Sequence, residues 1–122
     1  MVTGVLVGES LRAGCELSGV PLTLTRLRRV SGAGVTPGQP AEWTLLDFEA
    51  TDQDAAPLAD ALSYCLSPEG GWYADFRSDT DVYVVFAGHV CHYPRGETAG
   101  REAAQAYARS VGVPEEQIDW GE

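Results

Sequence analysis

The side chains best suited to chemistry crowd into one stretch, Gly70 to Gly96 (GGWYADFRSDTDVYVVFAGHVCHYPRG). It holds both histidines, His89 and His92, with Cys91 between them, and also Asp75, Arg77 and Arg95. His89-Val90-Cys91-His92 offers three candidate metal ligands in four residues. On a strand, however, side chains alternate, so His89 and Cys91 share one face and His92 takes the other. Zinc takes about three or four protein ligands. We therefore expect ordinary strand residues here, no metal and no cofactor. Cys91 beside His89 also has the spacing of a nucleophile and its base. Activation needs an oriented pair in electropositive surroundings, and a strand thiol is more commonly a small buried apolar group.

Asp75 is the acid of greatest interest. It lies between Tyr73 and Arg77 on the strand face opposite Trp72 and Phe76. Covered, its carboxyl would shift towards a range useful for proton transfer. Uncovered, it is a solvated carboxylate in a weak cross-strand ion pair. Tyr73, Asp75, Tyr83, His92, Tyr93 and Arg95 together suggest an aromatic and charged patch, and tyrosine and arginine are enriched where proteins make energetically important contacts. The alternative is a pocket in which Asp75 acts as acid or base, His92 as its partner and Arg95 as an anion anchor. No G-x-S-x-G, Walker, H-E-x-x-H or EF-hand spacing occurs, so whether the chain is an enzyme stays open, with catalysis the less favoured reading.

The elements that must position these residues follow from periodicity. Leu22 and Leu24 alternate with Thr23 and Thr25, which predicts a strand within 20–30. Trp43 to Ala50 alternates in the same way, and the two form a hairpin around a Gly- and Pro-rich loop at 31–41 that we expect to be mobile. Residues 1–19 read as irregular or as a short edge strand around Val5–Val7. Leu58, Ala61, Leu62 and Cys65 make one stripe of a helix over 52–66, opened by Asp52 and Asp54. Trp72–Arg77, Asp81–Phe86 and His89–Tyr93 predict a three-stranded meander. Bulky residues on both faces of 82–86 mark a strand covered on both sides. Gly88 suits the tight turn after Phe86 because it accepts positive φ. Trp72, Phe76, Val84 and Phe86 are expected on the inner face. A second helix over 98–110 presents Ala103, Tyr107 and Val111, a stripe widened by Ala99, Ala104 and Ala106, with Gly112 ending it. Ile118 and Trp120 should pack the tail onto the body.

The order β-β-α-β-β-β-α predicts an α+β fold: a mainly antiparallel sheet with two helices packed on one face. At 122 residues the chain, 1–122, is expected to form a single domain. Its basic residues are all arginine, which with abundant Ala and Gly points to a GC-rich coding genome of bacterial type. The formal charge is −10. Acids concentrate in residues 47–81, where nine stand against one arginine. That balance disfavours the phosphate backbone of nucleic acid and favours a basic partner. Three cysteines, odd in number and scattered, make no disulfide framework. The start lacks the pattern of a signal peptide and no apolar run reaches membrane length, which suggests a cytoplasmic protein. The functional expectation is a small acidic binding module acting through protein–protein contact. An immunity- or antitoxin-like inhibitor of a basic partner is one concrete form, and a homodimer through the sheet is a further possibility.

Overall fold

A computed structural model describes residues 1–32 and 34–120 of the chain. Six strands, β1 (Val2–Val7), β2 (Thr23–Ser31), β3 (Glu42–Ala50), β4 (Ala74–Arg77), β5 (Asp81–Phe86) and β6 (His89–Pro94), form one sheet in the order β2-β3-β1-β4-β5-β6. Every pairing is antiparallel. Helix α1 (Ala55–Cys65) lies between β3 and β4 in the chain, and α2 (Thr98–Ser110) follows β6. The fold is thus α+β on an antiparallel sheet, as the element order predicts. No helix among the described residues is long and apolar enough to cross a membrane.

The helices do not share one face. Leu58, Ala59 and Leu62 of α1 pack on Val2, Leu6, Phe48, Phe76, Tyr83 and Val85. Ala104 and Ala108 of α2 pack on Val82, Val84, Phe86 and Tyr93. The two sets alternate along β5, so the helices sandwich that strand, and all five residues from Val82 to Phe86 are buried. Two-sided bulk in β5 is therefore the mark of a helix on each face. It also corrects the expected inner face. Phe76 pairs with Tyr83 and looks towards α1, whereas Val84 and Phe86 look towards α2.

The N-terminal segment departs most from expectation. It forms β1, an interior strand paired to β3 on one side and to β4 on the other. Gly4 disguises it. Gly4 faces Phe48 and Phe76, whose rings meet edge-on at 5.9 Å, and a Cβ there would lie 2.5 Å from that of Phe76. The glycine that seems to interrupt the strand is what lets two aromatic rings close over it.

Helix α1 begins at Ala55, because Asp52–Asp54 forms a separate 3-10 turn tied by the N-terminal ammonium of Met1 to Asp52. Helix α2 is rotated from the predicted stripe. Ala104 and Ala108 approach the sheet and Ala103 is exposed. Tyr107 reaches sideways to stack on His89 at 4.0 Å. Small alanines admit the closest approach, and the large ring takes the flank. Gly88, with φ +72°, completes the predicted β5–β6 turn. Trp120 is buried, its Nε1 donating to Tyr93 Oη at 2.9 Å, so the tail packs as its apolar residues suggest.

Candidate functional site

The face that carries α2 is only half covered. Helix α2 lies over β5 and β6, and the tail reaches as far as Tyr73 just before β4. Over β1 and β3 the same face carries Val5, Val7, Trp43 and Leu45, which floor a cavity of about 280 Å³. Its walls are Trp72, Tyr73 and Asp75 on one side and Glu116, Gln117 and Asp119 of the tail on the other. Trp43 and Trp72 meet edge to face at 5.3 Å. A second cavity continues along the sheet past Val5 and Asp75 to Asp47, Arg26 and Arg77. The result is a groove, apolar and aromatic at its base, with the carboxylates of Asp75, Glu116 and Asp119 among its lining.

Side-chain hydrogen bonds hold its far wall. Tyr73 Oη donates to the carbonyl of Gln117 and, at 2.9 Å, to Asp119 Oδ1. Gln117 and Gln39, both buried, form a reciprocal amide pair at 2.8 and 3.2 Å. Gln39 Nε2 and Thr36 Oγ1 both donate to the carbonyl of Gly70, at 2.7 and 3.1 Å. Residues 34, 36 and 39 of the 31–41 loop are thus hydrogen-bonded to Gly70 and to Gln117 of the tail.

Asp75 sits at the base of this wall. Its side chain is 25% exposed, and Oδ2 accepts a 3.0 Å bond from Arg77 Nη2. Burial pushes its carboxyl above the usual carboxylate range, and the nearby charge of Asp119 adds to the shift while Arg77 opposes it. The same burial, with the charges of Asp75 and Asp119, raises the Tyr73 phenol, so Tyr73 acts as a hydrogen-bond donor. Among the described residues that line the first cavity, the charged ones are all acidic.

The structure gathers some of the sequence-selected residues and separates others. Tyr73 and Asp75 line the groove. His92 does not. Asp75 pairs with Val84, which pairs with Cys91, whereas Tyr83 pairs with His92, so Asp75 and His92 face opposite sides of the sheet. His92 stacks on Tyr83 at 4.2 Å and bonds Asp81 at 2.9 Å. Tyr83 and Tyr93 are buried core residues on opposite faces. Arg95 is exposed beyond β6, with Nη1 on the carbonyl of Ser78 at 3.0 Å. Neither His92 nor Arg95 lines the cavities that Asp75 lines. His89 and Cys91 share the α2 side, as alternation predicts, where His89 stacks on Tyr107 and burial raises the Cys91 thiol. No group of three His, Cys, Asp or Glu among the described residues stands close enough to hold a metal ion.

Sequence reasoning missed Trp43, Trp72, Glu116 and Asp119 as site residues. The usable signal was the apolar pair Ile118 and Trp120. A tail they anchor must carry residues 116–119 to the body, beside whichever strand the tail crosses. Comparison with protein-family models, with curated proteins and with solved structures finds no match to this chain.

Proposed function

We propose that this protein is a binding module for a basic partner protein, and that the groove receives an arginine or lysine side chain of that partner. The observation that carries this reading is the lining of the cavity, where Asp75, Glu116 and Asp119 stand with Trp43, Trp72 and Tyr73 and, among the described residues, no basic side chain. A guanidinium pairs with carboxylates in a planar fork and stacks on aromatic faces, so it suits both halves of the wall. The charge of −10 adds long-range attraction that speeds encounter with such a partner. An acidic inhibitor that blocks a basic nuclease or toxin, of the immunity or antitoxin kind, is the concrete form of this reading. The alternative pocket around Asp75, His92 and Arg95 draws no support from the groove, which those last two residues do not enter.

The test is a titration of the protein with a capped arginine tripeptide and with its neutral citrulline counterpart, followed by tryptophan fluorescence. The arginine peptide should give a saturable change. The citrulline peptide, and the arginine peptide on an Asp119→Asn variant, should bind about tenfold more weakly, the worth of one charge-assisted hydrogen bond. Equal responses to the two peptides, or no saturable response to arginine, would overturn the proposal.

A further inference from the structure

Cys15 and Cys65 lie 50 positions apart in the chain, yet their Sγ atoms stand 2.7 Å apart in the fold. A sulfur–sulfur bond is about 2.05 Å long, so the two are already closer to bonding distance than to a resting contact between thiols. Both are free thiols. Cys65 is the last residue of α1, and Cys15 belongs to the irregular segment that runs back past the end of that helix. Backbone hydrogen bonds hold the two segments together. Arg12 N donates to the carbonyl of Cys65 at 2.9 Å, Ser67 N to that of Ser10 at 2.8 Å, and Leu11 bridges to Leu66. Arg12 Nε adds a bond to the carbonyl of Tyr64 at 2.9 Å. The sulfurs also face backbone oxygens, Cys15 Sγ that of Tyr64 at 3.6 Å and Cys65 Sγ that of Glu16 at 3.5 Å. The two segments are thus held together by contacts independent of the sulfurs.

We propose that Cys15 and Cys65 are a thiol–disulfide exchange site whose co-substrate is a low-molecular-weight disulfide. Cys15 is half-exposed and is the entry point, while Cys65 is buried. The Cys15 thiolate attacks one sulfur of the small disulfide, forming a mixed disulfide and expelling one small thiolate, which takes up the proton that Cys15 gave to water. Cys65 then gives its proton to water and attacks Cys15 Sγ, and the second small thiolate leaves and is protonated in turn. The protein's two thiols lose two electrons in total, the small disulfide gains them, and the products are one protein disulfide and two small thiols. Burial, with the neighbouring Cys15, pushes the Cys65 thiol up to about 11, which disfavours it as the first attacker; in the second, intramolecular step the closeness of the two sulfurs offsets the scarcity of thiolate.

The bond would fasten the segment that carries Leu17, Val20 and Leu22, half-buried residues that cover the α1-side core. Cys91 lies on the other face of the sheet, among the α2-side residues, and serves as an internal control.

The experiment treats the reduced full chain with oxidised glutathione, blocks remaining thiols with iodoacetamide under denaturing conditions, and maps the products by mass spectrometry. The expected product has lost two hydrogens, links the Cys15 and Cys65 peptides, and carries the alkyl group on Cys91. A Cys65→Ser variant should stop at the mixed disulfide, with glutathione retained on Cys15. Circular dichroism of that variant confirms that it folds, and a Cys65→Ala variant repeats the test. A wild-type product that keeps glutathione on Cys15 with Cys65 alkylated, that pairs either residue with Cys91, or that is unmodified would overturn the proposal.

Discussion

Asp75 carries its charge against the preference of its surroundings. Burial and the neighbouring Asp119 hold its carboxyl above the unfolded value of 3.8, while Arg77 and, to a lesser degree, a backbone hydrogen bond pull the other way. For a raised carboxyl the sign is fixed. The folded state binds the proton more tightly, so this residue favours folding below the unfolded value and penalises it as pH rises through the folded one. Asp75→Asn keeps an acceptor for Arg77 and removes the penalty. The variant should unfold at a higher temperature than the parent at pH 7, with the advantage vanishing as pH falls below 3.8. Thermal denaturation across pH checks this. A variant that is more stable yet binds the arginine peptide about tenfold more weakly would mark Asp75 as retained for recognition. Asp75 was legible in the sequence as a carboxylate on a half-covered strand. Its pairing with Arg77 was legible as well, but the charge of Asp119 was not, because Asp119 lies some forty positions further along the chain.

At the level of elements, β1 and the β2–β3 hairpin hold the groove floor. Gly4→Ala should cost about 1–3 kcal/mol by overpacking, since the new Cβ meets Phe76 and the carbonyl of Asp75 and neither is a flexible tip. Urea denaturation checks it, and an unchanged midpoint would remove Gly4 from the account of why β1 fits between Phe48 and Phe76. In the hairpin, Asp47 accepts bonds from Arg26 and Arg28 at 2.9 and 3.2 Å. The Arg26 bond, with Arg28 adding, holds its carboxyl below 3.8 although burial opposes the shift. Its contribution is therefore present above 3.8 and fades as pH falls through the depressed folded value. Because Arg26 is exposed and Arg28 only half-buried, Asp47→Asn should cost about 0.5 kcal/mol at pH 7, and the difference from the parent should shrink in acid. The same arginines, with the bulge between Leu24 and Arg26, blunt β2 as an open sheet edge. The existence of β2, β3 and the two helices was readable from period, while β1, interrupted by Gly4, was not. The rotation of α2 was not, because alanines at 103, 104, 106 and 108 leave the stripe degenerate until the sheet chooses among them.

For the molecule as a whole, three segments remote in sequence close the groove, at 34–39, at 70–73 and at 116–120. The Gln39–Gln117 amide pair joins the first to the last. Gln39→Ala removes its bonds to Gln117 and Gly70, each worth about 1 kcal/mol. We expect a stability loss of about 2–3 kcal/mol in chemical denaturation, together with weaker binding of the arginine peptide because the far wall loosens. Stability lost without any change in binding would separate the loop from the site. By itself the sequence determined what local backbone geometry governs: the alternation in β3 to β6, the two-sided burial of β5, the glycine turn after Phe86, the split of His92 from His89 and Cys91, and the acidic balance that favours a basic partner. Tertiary structure alone decided what depends on pairing across the chain. Register placed Asp75 and His92 on opposite faces, strand order put β1 inside the sheet, and packing brought Cys15 against Cys65 and the tail acids to Asp75. The reason is one of range. Period within an element follows from the dihedral angles of neighbouring residues, whereas register and order follow from which distant apolar faces bury one another, and a shift of one residue in pairing reverses every side chain.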